Sequence, residues 1–441
     1  MSSRATIEYL PVLCIAALLA LAASCGNGGS ADGNSGGIIP PPPPPPPPAW
    51  GTAVRISSTG IINATDPRVA LDGDGGAVVV WCHGSNLPPD GPDVWANHHN
   101  GTSWGAAEMI ESDAVTPGYA RVAMDASGQA IAVWQRCDTA RCGIAANHYN
   151  GTSWGAAEAI DDGTGTVGGP QIAMDGSGQA VVVWEQHEGA QQNIRANHYN
   201  GTSWGASETI SAGSLARNPQ IAGDGSGRAV AVWLRQGGVG LGYFDGLTWA
   251  AEEGIDTIAE SPRIAMDGSG RAVAVWLLQG GGIGASRFDG ASWAAEEVIE
   301  PTDSGSSFQL EVAMGGSGRA IAVWQQVEGT DWNIRASRFD GSAWGAAELI
   351  ETSDSNAYNP QIAMDGSGRA FAVWWQLDGT LGNIWVNRFN GSSWGAAEAL
   401  DDANVYTSYP HIAMDDSGRA VAVWVQEQSY NRPQIWAKRY E

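Results

Sequence analysis

Three tryptophans, Trp95, Trp385 and Trp436, occupy the same place in different copies of an internal repeat. Tryptophan carries a large, flat, amphipathic ring that stacks on other rings, including those of sugars, and that also packs well inside a protein. The spacing therefore supports two interpretations: the three residues form an aromatic arc that binds a glycan, or they pack between structural units. The other copies carry Ala145, Arg195, Gly240, Gly284 and Arg335 here.

A polar side chain also recurs once per repeat, and Arg68, Arg121 and Arg263 are three of its copies. Guanidinium groups bind anions through charge-assisted hydrogen bonds, so these arginines are candidates for receiving an anionic group. The alternative is that they satisfy backbone carbonyls and nearby aspartates. The full set is Arg68, Arg121, Gln171, Gln220, Arg263, Glu311, Gln361 and His411.

Carboxylates cluster between repeats at Asp161-Asp162, at Asp401-Asp402, and at Glu111 with Asp113. Oxygen ligands of this kind are what calcium prefers. Calcium is therefore the one cofactor that the sequence raises, with solvated loop charge as the alternative.

The cysteine spacing predicts one disulfide in an oxidising compartment. Cys137 and Cys142 flank one short predicted loop, and we expect them to form a local disulfide. Cys82 has no predicted partner. A zinc site built from these three cysteines and His83 is disfavoured, because their spacing matches no zinc-ligand pattern.

No arrangement of a nucleophile and a base stands out. His98, His99, His148 and His198 fall at one repeated place near the end of a predicted strand, where other copies have arginine. They are therefore interpreted as repeat positions, and no catalytic residue is predicted.

The repeat that positions all these residues is clearest at Ala265–Trp276, which reads AMDGSGRAVAVW. It recurs eight times at intervals of 43 to 53 residues, with glycine turns and no helical pattern, which is typical of a β-propeller. We expect the closing tryptophans to form the core: Trp81, Trp134, Trp184, Trp233, Trp276, Trp324, Trp374 and Trp424.

Each repeat predicts four antiparallel strands. In the seventh they are Pro360–Asp365, Arg369–Gln376, Asn383–Phe389 and Trp394–Leu400, with a tight Asn390-Gly391 turn before the last. Asn-Gly and Asp-Gly pairs accept positive φ at low cost and favour such hairpins. One repeat therefore predicts one blade.

The two ends of the repeat region predict how the ring closes. Trp50–Ile56 has the pattern of a fourth strand with no blade before it, and Ile435–Tyr440 that of a third strand with none after it. Joining strand 50–56 to the strands of 410–440 completes a blade and removes exposed sheet edges. The fold class predicted for residues 50–441 is an all-β, eight-bladed propeller.

The turn before the fourth strand resembles a known motif. Ser337–Trp344 (SRFDGSAW), and the Asn-Gly-Thr-Ser-Trp runs that end at Trp104, Trp154 and Trp204, resemble the Asp-box (BNR) repeats of sialidase-type propellers. The match is one residue short, because Asp340 and Gly341 are adjacent. The resemblance implies a propeller in which the box is a folding element that carries no catalytic residue. A sialidase also needs an arginine trio and a Tyr/Glu pair, which cannot be picked out here.

Differences between the repeats predict which face of the propeller binds. Turns between first and second strands, and between third and fourth, barely vary, whereas the other loops differ in length and chemistry, as in His83–Asp93 against Gln279–Gly282. Because neighbouring strands of a blade run in opposite directions, the constant turns and the variable loops lie on opposite faces of the propeller. We call these the constant-turn face and the variable-loop face, and expect binding on the second.

The N-terminal region predicts export and anchoring. Leu10–Ala23 is a short apolar run, so residues 1–24 are interpreted as a signal peptide. Ala22–Cys25 resembles the lipobox of bacterial lipoproteins, with Ala22 where leucine is usual, and this implies a lipid on Cys25. An ordinary signal peptide is the alternative. Residues 25–49, Gly/Ser-rich and then polyproline, form the linker.

The net charge of −25 disfavours nucleic acid and anionic lipid surfaces as partners. We expect a monomeric binding module for a glycan or a protein, exported to the bacterial cell envelope at the outer membrane or cell surface, and bound to the membrane through its lipid alone. The alternatives are a carbohydrate-active enzyme, such as a sialidase-like glycosidase or a lyase, and a purely structural envelope protein.

Overall fold

Eight four-stranded antiparallel sheets make up the structure, one for each repeat. The structure is a computed structural model that describes residues 47–58, 63–83, 93–111, 116–213, 215–255, 257–301, 305–352, 355–379, 381–401, 405–427 and 432–441. The predicted signal peptide, Cys25 and the linker up to residue 46 lie outside the described residues. Within them, no helix is long and apolar enough to cross a membrane.

Strand β1 (Val54–Arg55) comes first along the chain. Blades 1 to 4 follow, four strands each: β2 (Ala64–Leu71), β3 (Gly76–His83), β4 (Asp93–Asn100), β5 (Glu108–Glu111); β6 (Thr116–Met124), β7 (Ala130–Cys137), β8 (Cys142–Tyr149), β9 (Glu158–Ala159); β10 (Thr166–Met174), β11 (Ala180–Glu188), β12 (Gln191–Tyr199), β13 (Glu208–Thr209); β14 (Arg217–Gly223), β15 (Ala229–Arg235), β16 (Gly238–Phe244), β17 (Glu253–Ile255).

Blades 5 to 7 and three strands of blade 8 complete the ring: β18 (Ala259–Met266), β19 (Ala272–Leu278), β20 (Ile283–Phe288), β21 (Glu297–Glu300); β22 (Ser307–Met314), β23 (Ala320–Glu328), β24 (Asp331–Phe339), β25 (Glu348–Leu349); β26 (Ala357–Met364), β27 (Ala370–Asp378), β28 (Leu381–Phe389), β29 (Glu398–Ala399); β30 (Thr407–Met414), β31 (Ala420–Glu427), β32 (Pro433–Tyr440). The first strand of each blade contacts the first strands of its two neighbours, β2 and β30 included, so these inner strands surround the central channel.

Ring closure confirms the eight-bladed prediction. β1 pairs antiparallel with β32, with Val54 opposite Ala437 and Arg55 opposite Trp436, and so completes blade 8. Trp50 adds a bridge to Tyr440. The third strand of blade 8, β32, is thereby covered by a partner strand, as the third strand of every other blade is.

Each predicted outer strand is shorter than its sequence pattern suggests. Trp394 makes a single bridge to Phe389, the ladder then breaks, and regular pairing resumes only at Glu398. A buried asparagine explains the break, because the Asn387 side chain donates to Gly395 O (3.2 Å) and, in the preceding blade, to Ile350 O (2.7 Å). The side chain thus replaces ladder hydrogen bonds and ties two blades together.

The second strands form the core. All eight closing tryptophans, from Trp81 to Trp424, are fully buried, as predicted. In the seventh blade Ala370–Trp374 is buried on both faces of the sheet, because blades 6 and 8 pack against it. A strand covered on both sides needs an unbroken apolar run, which is the pattern of the repeat.

A hydrogen-bonded turn on the constant-turn face, which we call the clasp, explains the Asp-Gly-Ser-Gly-Arg part of the repeat. The buried Asp365 carboxylate accepts hydrogen bonds from the backbone N–H groups of Ser367 (2.9 Å) and Arg369 (2.8 Å), and binds the Arg369 guanidinium at 2.6 Å. Arg369 then donates to Ser417 O of the next blade (3.0 Å). The Asp-Gly-Ser-Gly-Arg pattern is therefore a turn that fastens neighbouring blades.

On the opposite face, every inner strand has a bulge that the sequence analysis did not predict. One residue in each adopts φ between 49° and 59°, and the pairing register shifts across it. Positive φ is rare outside glycine, and its recurrence here marks a place where backbone strain is maintained. The residues are Asp66, Tyr119, Gly169, Asn218, Ser261, Gln309, Asn359 and Tyr409.

Candidate functional site

An aromatic cleft lies on the variable-loop face, across blades 6, 7 and 8. Its volume is about 440 Å³, within the range of small-molecule sites, and aromatic rings with a few neutral polar groups line it, as is typical of such sites. The lining consists of Phe308, Gln309, Gln325, Trp332, Tyr358, Asn359, Trp375, Tyr406, Ser408 and Tyr409. We call this set the aromatic cleft.

Five rings of the cleft form a continuous row. Centroid distances are 5.5 Å from Phe308 to Trp332, 5.6 Å from Trp332 to Tyr358, 5.2 Å from Tyr358 to Trp375 and 6.3 Å from Trp375 to Tyr406. The rings are tilted against one another by 34° to 58°. Each ring therefore supports its neighbours in an arrangement that aromatic pairs favour.

Strand ends position these rings. Phe308 and Tyr358 directly precede the bulge residues of β22 and β26, while Trp332 is the second residue of β24. Trp375 lies opposite Tyr358 in the β26–β27 ladder and follows the core residue Trp374. Because side chains alternate along a strand, Trp375 lies on the sheet face opposite Trp374.

Gly382 makes room for the Trp375 ring. A Cβ atom at Gly382 would lie closer than 3.0 Å to Cε2, Nε1 and Cζ2 of Trp375, so any larger residue must displace the indole. The same backbone segment is fixed from blade 8, where Thr407 donates its hydroxyl to Gly382 O at 2.7 Å. The position of the ring is thus determined by contacts beneath it.

Neutral amide side chains fix the backbone on the polar side of the cleft. Buried Gln325 accepts a hydrogen bond from the backbone N–H of Asn359 at 3.4 Å, next to the bulge. Asn356 fixes the start of β24 by accepting the backbone N–H of Trp332 at 3.0 Å. The cleft therefore combines stacking surfaces with amide and hydroxyl groups of no formal charge.

The predicted tryptophan arc lies outside the aromatic cleft, in blades 7, 8 and 1. Closure makes blades 7, 8 and 1 neighbours, so Trp385, Trp436 and Trp95 are adjacent around the ring. Each is half-buried and packs against a hydrophobic cluster between blades. Their indole N–H groups are buried without an acceptor in the described part of the chain. None of the three lines the aromatic cleft.

The polar ring lies past the bulges, inside the channel. Asp66 joins two of its arginines, 2.7 Å from Arg68 and 3.3 Å from Arg121, and Arg121 also donates to Ala120 O at 2.8 Å. Burial, together with the charge of Arg68, lowers the pKa of Arg121 to about 10. Burial thus makes the charged form of Arg121 less favourable, and the carboxylate of Asp66 offsets part of that free-energy cost.

Three further members of this ring, Arg263, Glu311 and His411, also have partners. Arg263 binds Glu311 at 3.0 Å. His411 accepts the backbone N–H of Val69 at 3.3 Å, and burial beside Arg68 and Arg121 keeps the pKa of His411 well below its usual value. His411 is therefore neutral and joins the inner strands of blades 8 and 1.

Carboxylates in the predicted calcium loops have protein partners. Asp161 binds Arg141 at 2.6 Å, Asp162 binds Arg195 at 2.6 Å, and Glu111 accepts the indole N–H of Trp134 at 3.2 Å. Asp401 accepts the backbone N–H of Ile384 at 3.0 Å. Asp113 and Asp402 lie outside the described residues, and within these no group of three metal-binding side chains occurs.

Three of the cysteines lie within the described residues. A disulfide joins Cys137 to Cys142 across the β7–β8 hairpin, with the sulfur atoms 2.00 Å apart. Cys82 is a buried free thiol, and burial raises its pKa to about 11.

Repeat histidines stack between blades on the constant-turn face. His148 lies 5.7 Å from the Tyr199 ring and His198 lies 5.2 Å from the Phe244 ring, while Arg338 covers Phe389 at 5.3 Å in the same way. Burial lowers the pKa of both histidines.

The aromatic cleft escaped the sequence analysis because its rings occupy several different repeat positions. Tyr358, Trp375 and Trp332 come from a first, a second and a third strand, so no single position of the repeat contains them all. One repeat position does mark the cleft in the sequence, because its residue type is unusual in the seventh copy. Trp375 stands where the other copies have Cys82, Gln135, Glu185, Leu234, Leu277, Gln325 and Val425.

Comparisons with known proteins bear on the fold. No family model matches the chain, and no curated protein matches its sequence. The Dos1 propeller is similar in structure, with a TM-score of 0.54 and 8% identity over 89% of this chain and 95% of that one.

An ulvan lyase, described as a new family of polysaccharide lyase, gives a TM-score of 0.52 and 7% identity over 87% of this chain and 95% of that one. The NanB sialidase of Streptococcus pneumoniae gives 0.41 and 11% over 89% and 70%. At these identities the likeness to Dos1 and the lyase shows a propeller fold and leaves the chain without an assigned family.

Proposed function

We propose that this protein is a saccharide-binding module and that the aromatic cleft is its binding site. The observation that carries the proposal is the continuous row of rings from Phe308 to Tyr406, bordered by neutral amide and hydroxyl groups. Aromatic faces stack on the apolar faces of sugars, and amides hydrogen-bond their hydroxyl groups. The ulvan lyase likeness adds that a propeller of this kind occurs in a protein that acts on a polysaccharide.

A glycan array with the purified protein tests the proposal. We expect binding to specific oligosaccharides, and Trp332→Ala and Trp375→Ala should each weaken it about 30-fold, corresponding to about 2 kcal/mol for a central aromatic contact. Both rings are only half-buried, so these variants should remain folded. Binding that survives both substitutions together would refute the assignment of the cleft.

Trp385→Ala is the matched control, since it removes an indole from the same blade but outside the cleft. The proposal expects folded Trp385→Ala to bind like the unaltered protein. If the variant lacking Trp95, Trp385 and Trp436 folds but loses binding, the tryptophan arc is the site instead. Turnover of a bound glycan would establish the alternative, a carbohydrate-active enzyme.

We further propose that the propeller is exported and held at the cell envelope by a lipid on Cys25. The support is the sequence of residues 1–49, with its signal-like run, lipobox-like Ala22–Cys25 and polyproline linker. Cys25→Ala should move the protein from the membrane fraction to the soluble fraction. Continued membrane retention of that variant would contradict lipidation.

A further inference from the structure

The aromatic cleft is uncharged, although it lies in a strongly acidic protein. Its hydrogen-bonding side chains, Gln309, Gln325, Asn359 and Ser408, are amides and one hydroxyl, alongside the tyrosines. None of the lining residues carries a formal charge at neutral pH. A ligand with a carboxylate or sulfate group would therefore find no cation in the cleft to replace its lost hydration.

Carboxylates stand just outside the lining. Asp331 is exposed and directly precedes Trp332, and Glu427 ends β31, where its backbone N–H donates to Tyr406 O at 2.9 Å. Neither forms an ion pair with any residue that the structure describes. Glu328, in the same hairpin as Trp332, is neutralised by Arg335. Among the described residues next to the lining, Asp331 and Glu427 thus carry negative charges outside any ion pair, in a chain of net charge −25.

The arginines of the channel belong to other blades than the aromatic cleft. Arg68, Arg121 and Arg263 belong to blades 1, 2 and 5, whereas the cleft spans blades 6 to 8. Arg263 is matched by Glu311, and Asp66 lies between the other two.

We infer that the saccharide bound by the aromatic cleft is uncharged, and that the cleft discriminates against uronate and sulfated sugars. The inference rests on the proposed function and adds the chemical class of the ligand to it. Discrimination arises because an anionic sugar is repelled by Asp331 and Glu427 while it gains no compensating contact.

The test compares each neutral oligosaccharide that binds on the array with the same oligosaccharide oxidised at C6, which replaces CH₂OH by a carboxylate. At low salt we expect the oxidised form to bind about tenfold more weakly by calorimetry, since it faces two nearby charges. High salt should narrow this gap by screening. Equal or tighter binding of the oxidised form, or a gap that salt does not change, would overturn the inference.

Variants that remove the negative charges of Asp331 and Glu427 test whether these charges cause the discrimination. Asp331→Asn with Glu427→Gln should reduce the gap to about threefold or less, with the affinity for the neutral form unchanged. Glu158→Gln, on the exposed outer strand of blade 2, removes the same kind of charge at a distance and should leave the gap as it is. If both sets of variants behave alike, the local field is not the cause.

Failure of the proposed function gives a different result. In that case neither the neutral nor the oxidised oligosaccharides show binding that depends on Trp375.

Discussion

Replacing Gly382 by alanine is a sharp test of how the cleft is built. The backbone at Gly382 is acceptable to alanine, because its φ lies outside the positive range that favours glycine. The three atoms nearest to the new Cβ, all closer than 3.0 Å, belong to the Trp375 ring. Overpacking of this kind costs about 1–3 kcal/mol of unfolding free energy. We also expect the displaced indole to lose its stacking on Tyr358, and saccharide binding with it.

A double-mutant cycle separates this effect from a general defect at Gly382. In a Trp375→Ala background the clash is absent, so Gly382→Ala should stabilise by about 0.4–1 kcal/mol through the lower entropy of the unfolded chain. The sign of the substitution should thus reverse between backgrounds, with a coupling energy of about 1.5–4 kcal/mol. Urea unfolding followed by circular dichroism measures it. A Gly382→Ala effect of equal size in both backgrounds would refute the packing argument.

Three further outcomes are expected. Asp365→Ala leaves two backbone N–H groups and Arg369 without their acceptor and should cost about 2–4 kcal/mol in urea unfolding, with Asp365→Asn costing less; equal losses would contradict the clasp. His148 and His198 have folded pKa values below the unfolded value of about 6.5, so their contribution to stability is present above that pH and is lost as the pH falls below it. Replacing both by arginine, which other blades use here, should flatten the melting temperature between pH 7.5 and 5, and parallel profiles would contradict this. Cys82, with a pKa of about 11, should resist iodoacetamide at pH 8 by mass spectrometry until the protein is unfolded.

The repeat predicted the scaffold well because a single physical requirement determines the residue at each of its positions. Trp374 and its seven counterparts must fill the space between blades, and Asp365 must satisfy a tight turn, so identical residues recur at identical places. Closure by β1 was predictable for a similar reason, since an unfinished blade at each end of the repeat region leaves one consistent pairing.

Strand ends and bulges were less predictable. The outer strand after Trp394 is interrupted because the Asn387 side chain supplies a hydrogen bond that pairing rules assign to the backbone. The bulge at Asn359 depends on backbone geometry in which polar and aromatic residues alike adopt positive φ, from Gln309 to Tyr409. Residue type alone therefore gives little signal there.

The cleft depends on tertiary packing that the sequence pattern does not express. Trp332 and Tyr358 belong to different blades, and their rings meet only because the blades are wedged around a closed channel. Trp385 and Trp436 share a place in the repeat and pack between blades, and their role as a binding arc stays a prediction. The sequence signal of the cleft is different, because it consists of irregular aromatics near the ends of strands.

Ring closure also sets an order of events during synthesis. Among the described strands, β1 leaves the ribosome first, yet its partner β32 follows all the others along the chain. β1 therefore has no partner strand until β32 has been made. Blade 8 can assemble only when β30, β31 and β32 have been synthesised and β32 pairs with β1. Because contacts of such long sequence separation form slowly, closing blade 8 is expected to be the last step of folding and the step most exposed to misassembly.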